Sequence, residues 1–190
     1  MADKYNKVAP KVHPLTYVSI IGFLVIVFGI IFALRPTNEE LIYLSYEATA
    51  TSDFTEDHPF YQVQYEGSLF KVGLEKIIDK DEIVLVYVGY SGCESCQKHI
   101  GAFQKYFYSQ NFDDLVSTIY YLNIQEDTEG LTLFQTDFPE VLASTPQLLV
   151  FQNGVIVYSF TPISSDDTQA INRSVRDFYD EAIVLINEEA

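Results

Sequence analysis

Ile83-Val84-Leu85-Val86-Tyr87-Val88 runs without a charge into Gly89-Tyr90-Ser91-Gly92 and then Cys93-Glu94-Ser95-Cys96. Six consecutive apolar or aromatic residues predict a strand covered on both faces, as in a parallel sheet. The residues after Cys93 change period: Ile100, Phe103 and Phe107 share one side of a helix predicted over 95–110. Cys93 and Cys96 are the chain's only cysteines. Residues three apart on a first helical turn share a face, with Cβ atoms about 5–6 Å apart. That spacing admits a disulfide with little backbone movement. A Cys-x-x-Cys between a strand and a helix in a βαβ pattern points to thiol–disulfide exchange.

The flanking pattern extends this unit in both directions. Residues 61–65 alternate as a strand, and 68–78 carry Leu69, Val72, Leu74, Ile77 and Ile78 at near-helical spacing. A third strand is expected at 116–124. A helix is expected at 128–142, capped by Asp127 or Thr128. Two strands at 147–151 and 155–160 flank Gln152-Asn153-Gly154, and Asn-Gly between apolar runs predicts a hairpin. A terminal helix is expected at 164–187, with Ser164 or Ser165 as cap and Ile171, Val175, Phe178, Ala182 and Leu185 on its apolar stripe. Alternating strands and helices closed by a hairpin predict an α/β domain, its sheet part parallel with an antiparallel edge.

The chain has 190 residues and a formal net charge of -16. Its 14 Tyr and 14 Phe supply an ample core. Of its basic residues, Lys4, Lys7, Lys11 and Arg35 lie in the first 36 positions, where Asp3 is the only acid. The rest is therefore more acidic than the whole, a surface that repels phosphate backbones, so no nucleic-acid partner is expected.

Residues 16–34, TYVSIIGFLVIVFGIIFAL, hold no charge. As a helix they reach about 28 Å, close to the hydrocarbon thickness of a bilayer. A cleaved signal peptide is the competing reading. The run exceeds a signal core, and Ala33-Leu34-Arg35-Pro36 is a poor cleavage site, so a retained span is preferred. Three lysines before it against one arginine just behind predict a cytoplasmic tail at 1–15 and an extracytoplasmic C-terminal part. Residues 35–59 read as a spacer with a short helix near 39–46, leaving a domain at 60–188.

The order of elements, the position of Cys93-x-x-Cys96, and Ser144-Thr145-Pro146 running into the Gln152-Asn153-Gly154 hairpin resemble the thioredoxin superfamily. Leu85-Val86-Tyr87-Val88-Gly89-Tyr90 looks like the anchored thioredoxin-like proteins of Gram-positive bacteria, among them the bacteriocin transport accessory proteins. The resemblance covers about residues 60–188 and implies a thioredoxin-like fold, a mixed central sheet flanked by helices. It implies catalysis by Cys93 and Cys96, a cis peptide before Pro146, and a client strand pairing with the Thr145 backbone. Without it, Pro146 would be an ordinary strand start. Three features depart from the family. Gly92 stands where a tryptophan is common. Tyr87 stands where many members keep a buried aspartate. Glu94-Ser95 replaces the Gly-Pro of the reductants.

The expected chemistry is a membrane-anchored thiol–disulfide oxidoreductase acting on exported cysteine-containing proteins or peptides, with a membrane redox partner. No cofactor is expected beyond the Cys93–Cys96 pair. Cys93 is expected exposed at the helix start, facing unpaired N–H groups. The dipole supplies about 0.3–1 kcal/mol, so a large effect on the sulfur needs direct hydrogen bonds. Glu94, a neighbouring negative charge, modulates in the opposite sense, disfavouring the thiolate. Two alternatives use the same residues. Cys93, Cys96 and His99 could contribute to a metal site, but zinc takes four ligands and no second Cys/His cluster exists in the sequence, so no metal is expected. A non-catalytic thioredoxin-like accessory or binding module, assisting an exported peptide or secretion system, is the other class. A disulfide closing so short a loop constrains the unfolded chain little, which weakens that reading.

Overall fold

The computed structural model describes residues 13–51 and 53–188, which divide into two units, one ending at Pro36 and one starting at Thr37. The first unit is a single helix, α1 (Pro14–Ala33). His13 caps it, its Nδ1 accepting the Leu15 N–H at 3.3 Å. The helix is long and apolar enough to cross a membrane, and none of its residues is buried. It begins two residues before the expected span and places Leu34 at its C-cap. Lys4, Lys7 and Lys11, which carry the topology expectation, lie outside the described residues.

The second unit is an α/β domain. Its elements are α2 (Asn38–Tyr46), β1 (Phe60–Val63), α3 (Leu74–Lys80), β2 (Ile83–Gly89), α4 (Glu94–Ser109), a 3-10 turn (Phe112–Asp114), β3 (Ile119–Asn123), α5 (Thr128–Asp137), β4 (Gln147–Gln152), β5 (Val155–Ser159) and α6 (Thr168–Glu188). The sheet order is β1-β3-β2-β4-β5. β1, β3 and β2 run parallel; β4 is antiparallel to β2, and β5 to β4. Asn153 and Gly154 both take positive φ at the β4–β5 turn, as the Asn-Gly pair foretold. β2 is central and buried on both faces, which is why its sequence shows no alternation.

Strand alternation divides the core in two. Leu85 and Tyr87 face α4 and α6, with Phe103, Phe107, Tyr121, Val150, Val175 and Tyr179. Val84, Val86 and Val88 face α3 and α5, with Leu74, Phe134 and Phe151.

Residues 35–59 are not a free spacer from Thr37 onward. Thr37 caps α2 by accepting the Glu40 N–H, and Ile42 and Tyr46, one turn apart, are buried in the first core layer. Phe54 joins them, stacked on His58 with centroids 5.1 Å apart and edge-on to Tyr46 and Phe60. The Asn38 side-chain amide pairs with both backbone groups of Gln62 on β1, at 3.0 and 2.6 Å. Gln104 of α4 bonds Thr55 and the Asp57 carbonyl. Gly101 is required here, because a Cβ would collide with Thr51 and the backbone near Phe54.

Three helix boundaries differ from expectation by four residues or more. The helix expected over 68–78 starts only at Leu74. Gly67 and Gly73 bring two backbone stretches too close for side chains, closing a small loop with a Ser68–Lys71 bridge. Leu69 and Phe70 project from its tip, 95 and 96% exposed. The helix expected to 142 ends at Asp137, just before Phe138-Pro139. α6 starts at Thr168 rather than 164, where Asp167 accepts the Gln169 N–H.

Candidate active site

Sheet geometry brings the cysteines to the Thr145-Pro146 loop. β2 delivers the chain through Tyr90, Ser91 and Gly92 to Cys93, and antiparallel β4 starts beside the end of β2, with Val88 opposite Gln147. Cys93 is the N-cap of α4. Its Sγ accepts the Cys96 N–H at 3.1 Å and the Thr145 hydroxyl at 3.2 Å, and lies 3.8 Å from the Thr145 carbonyl oxygen. Two donors thus meet one sulfur, the direct contacts that the dipole alone cannot replace. The Thr145–Pro146 peptide is cis.

The turn is tied down from both sides. Gln97 donates to the Ser91 carbonyl at 2.6 Å. The Gln147 amide donates to the Leu142 and Ser144 carbonyls, each at 2.7 Å, while its oxygen accepts the Leu142 N–H at 2.8 Å.

Both cysteines are free thiols, and they differ in access. Cys93 keeps 9% exposure and Cys96 none. The expectation of an exposed Cys93 is thus corrected: the residue is largely buried, with the Thr145 hydroxyl and carbonyl oxygen set against its sulfur. Burial pushes the Cys96 thiol up to about 12, helped by its hydrogen bond with Cys93. A thiol raised above its ordinary value of about 8.5 keeps its proton as pH rises through 8, and only the thiolate is nucleophilic. Iodoacetamide at pH 8 is therefore expected to add one group per native chain, at Cys93, and two after unfolding in urea. Peptide mass spectrometry reads both numbers.

Glu94 is 82% exposed, and its carboxylate meets Lys98 Nζ at 2.7 Å; Lys98 also holds Asp166 at 2.6 Å. The negative charge expected beside Cys93 belongs to this exposed cluster. His99, weighed as a metal ligand from the sequence, is 1% exposed. Its Nδ1 lies 2.7 Å from the Ser95 carbonyl oxygen, its ring packs on Phe103 and Phe160, and burial lowers its pKa. Among the described residues no three His, Cys, Asp or Glu side chains gather as a metal site.

Sequence reasoning flagged Tyr87 but missed its partners. Tyr87 is fully buried, its hydroxyl 3.3 Å from that of Tyr46, and its ring lies 5.2 Å from that of Tyr121. Tyr46 lay in the supposed spacer, so no pattern linked it to β2.

A β1-β3-β2-β4-β5 sheet with helices on both faces, and Cys-x-x-Cys opening the helix after β2, is a thioredoxin-like fold. No family model and no curated protein sequence matches the chain. Solved structures similar to it include thioredoxin of Malassezia sympodialis (15% identity, TM-score 0.40), covering 64% of this chain and 94% of that one. A mutant thioredoxin of Halobacterium salinarum shows 15% identity and a TM-score of 0.38 over 69 and 96% of the two chains. Human ERp44 shows 11% identity and a TM-score of 0.42 over 67% of this chain and 32% of its own.

Proposed function

We propose that this chain is a membrane-anchored, extracytoplasmic thiol–disulfide oxidoreductase acting on exported cysteine-containing proteins or peptides. The observation that carries the reading is the 3.2 Å contact between Thr145 Oγ1 and Cys93 Sγ, with Cys96 sealed beneath on the same helical turn. α1 supports the anchor, and the lysines before it support a cytoplasmic N-terminus.

In the reducing direction the Cys93 thiolate attacks a client disulfide. A Cys93–client S–S bond forms, the client S–S bond breaks, and one client sulfur leaves as thiolate. Cys96 then attacks Cys93 Sγ. The Cys93–Cys96 bond forms, the mixed disulfide breaks, and the proton lost by Cys96 ends on the departing client sulfur. Two electrons have passed to the client, and a membrane redox partner of the dithiol class reduces the Cys93–Cys96 disulfide with two of its own, becoming a disulfide in turn. In the oxidising direction the same steps run backwards.

Thr145 and Pro146 form the client-binding edge, where the Thr145 backbone accepts an extended segment as an added strand. Glu94 tunes the sulfur from the helix start, through a charge shared with Lys98.

The wild-type chain is expected to reduce insulin disulfides or to oxidise a dithiol peptide, and Cys93→Ser is expected to lower that rate at least a hundredfold. Absence of both activities in the wild type, with client binding retained in Cys93→Ser, would establish a binding module instead.

A further inference from the structure

The loop at 67–73 puts its two largest apolar side chains where a turn ordinarily carries polar ones. The Ser68 N–H donates to the Lys71 carbonyl at 2.9 Å and the Lys71 N–H to the Ser68 carbonyl at 3.3 Å, so Leu69 and Phe70 are the central residues of a tight turn. Both are almost fully exposed, and Val72 beside them is half exposed. The base of the loop is fixed. Gly67 and Gly73 pinch together there, and the Leu74 and Glu75 N–H groups donate to the carbonyls of Gln64 and Tyr65, just after β1. The tip is a preformed apolar prominence at the β1 edge of the sheet, and it loses little freedom on meeting a surface.

The apolar face continues beyond the tip. Phe70 and Val72 line one cavity with Leu41 of α2 and Tyr61 of β1, both exposed. α2 is the first helix after α1. Only Arg35, Pro36 and Thr37 separate the α1 cap Leu34 from Asn38, a stretch that reaches about 14 Å at most. A bilayer that holds α1 is therefore within reach of this end of the domain. Charge permits the approach. Lys71, Lys76 and Lys80 line the same cavity and take part in none of the described ion pairs, and they offset Glu66, Asp81, Glu126 and Asp127 there. In a strongly acidic domain this face is nearly neutral, with a lysine directly behind the tip.

We propose that Leu69 and Phe70 insert into the lipid bilayer that α1 spans, with Lys71 meeting the lipid phosphates. The inference rests on the anchored reading above. Two apolar side chains hold a membrane weakly by themselves, but the α1 tether makes their insertion an intramolecular step at high effective concentration. The Lys71 stem lies along the apolar boundary while its ammonium stays at headgroup level. The seated tip gives the domain a second point of attachment, and the Cys93 edge then holds one height above the membrane instead of swinging on the tether.

The chain has no tryptophan, so a single introduced one reports alone. The test uses the full-length protein in vesicles of phosphatidylcholine and phosphatidylglycerol, made with ordinary lipid or with lipid brominated on its acyl chains, which quenches indole on contact. Phe70→Trp is expected to lose most of its emission in the brominated vesicles. Phe23→Trp, midway along α1, should lose it too, and Val155→Trp, exposed on the opposite edge strand β5, should keep it. Leu69→Asp in the Phe70→Trp chain should restore the emission, with far-UV circular dichroism unchanged at so exposed a position. Quenching at position 23 without quenching at position 70 would overturn the inference and leave the anchor intact, as would equal loss at position 155 or after Leu69→Asp. Emission at position 70 that is shifted to the blue yet indifferent to bromine would also overturn it, because a protein surface would then cover the tip. Absence of quenching at position 23 would overturn both the docking and the anchor.

Discussion

Replacing Cys96 with serine is expected to convert a fleeting mixed disulfide into a lasting one. Three features separate attack from resolution. The backbone N–H at position 96, which donates to Cys93 Sγ at 3.1 Å, is kept by serine, as is the Thr145 hydroxyl contact at 3.2 Å. Serine is close to cysteine in size at a position with no exposure. Only the resolving sulfur disappears. An intramolecular thiol on the same turn acts at an effective concentration of up to about 10⁵ M, so escape from the mixed disulfide should slow by several orders of magnitude. With a peptide closed by one disulfide as client, mass spectrometry should find a one-to-one adduct at Cys93. It should vanish on reduction and be absent from a Cys93→Ser, Cys96→Ser chain. Its absence from Cys96→Ser would mean that Cys93 does not reach a client.

The largest expected effect on stability comes from shortening the chain. A chain begun at Phe60 should fail to fold, whereas one begun at Thr37 should unfold cooperatively. The shorter chain loses Ile42, Tyr46 and Phe54, each worth about 1.5–3 kcal/mol when buried. The sum approaches the whole net stability of an ordinary domain, about 5–15 kcal/mol. It also uncovers Phe60, removes the Tyr46 partner of the buried Tyr87 hydroxyl, and frees the backbone of Gln62 from Asn38. Far-UV circular dichroism against urea distinguishes the two chains. A cooperative transition for the one begun at Phe60 would restore the view of 35–59 as a mere tether.

The parts of this fold legible in the sequence are those where one local signal suffices. Asn153-Gly154 names its own turn, the uncharged run of β2 names a doubly covered strand, and the period change after Cys93 names α4. The meeting of Cys93 with Thr145, 52 positions apart, was legible only through resemblance, because no local pattern encodes a pairing between β2 and β4. α2 was half legible. Thr37 before Glu39-Glu40 is an N-cap signal, and Ile42 and Tyr46 stand one turn apart, but nothing in nine residues says what they pack on. The loop at 68–73 misled because Leu69, Val72 and Leu74 mimic a helical stripe. Gly67 and Gly73 set the backbone there, and two of the stripe's side chains face solvent instead. The tyrosine cluster was hidden for the same reason as the Thr145 contact: its three members come from α2, β2 and β3.

Gln147, almost wholly buried at the start of β4, commits both amide hydrogens and its oxygen to the five residues before it. The segment that the proposed function assigns to a client is consequently moulded in advance by the strand that follows it. On that proposal a visiting peptide meets a finished edge and loses only its own freedom on docking, so that selectivity there depends on how the visitor bends rather than on how the host adapts.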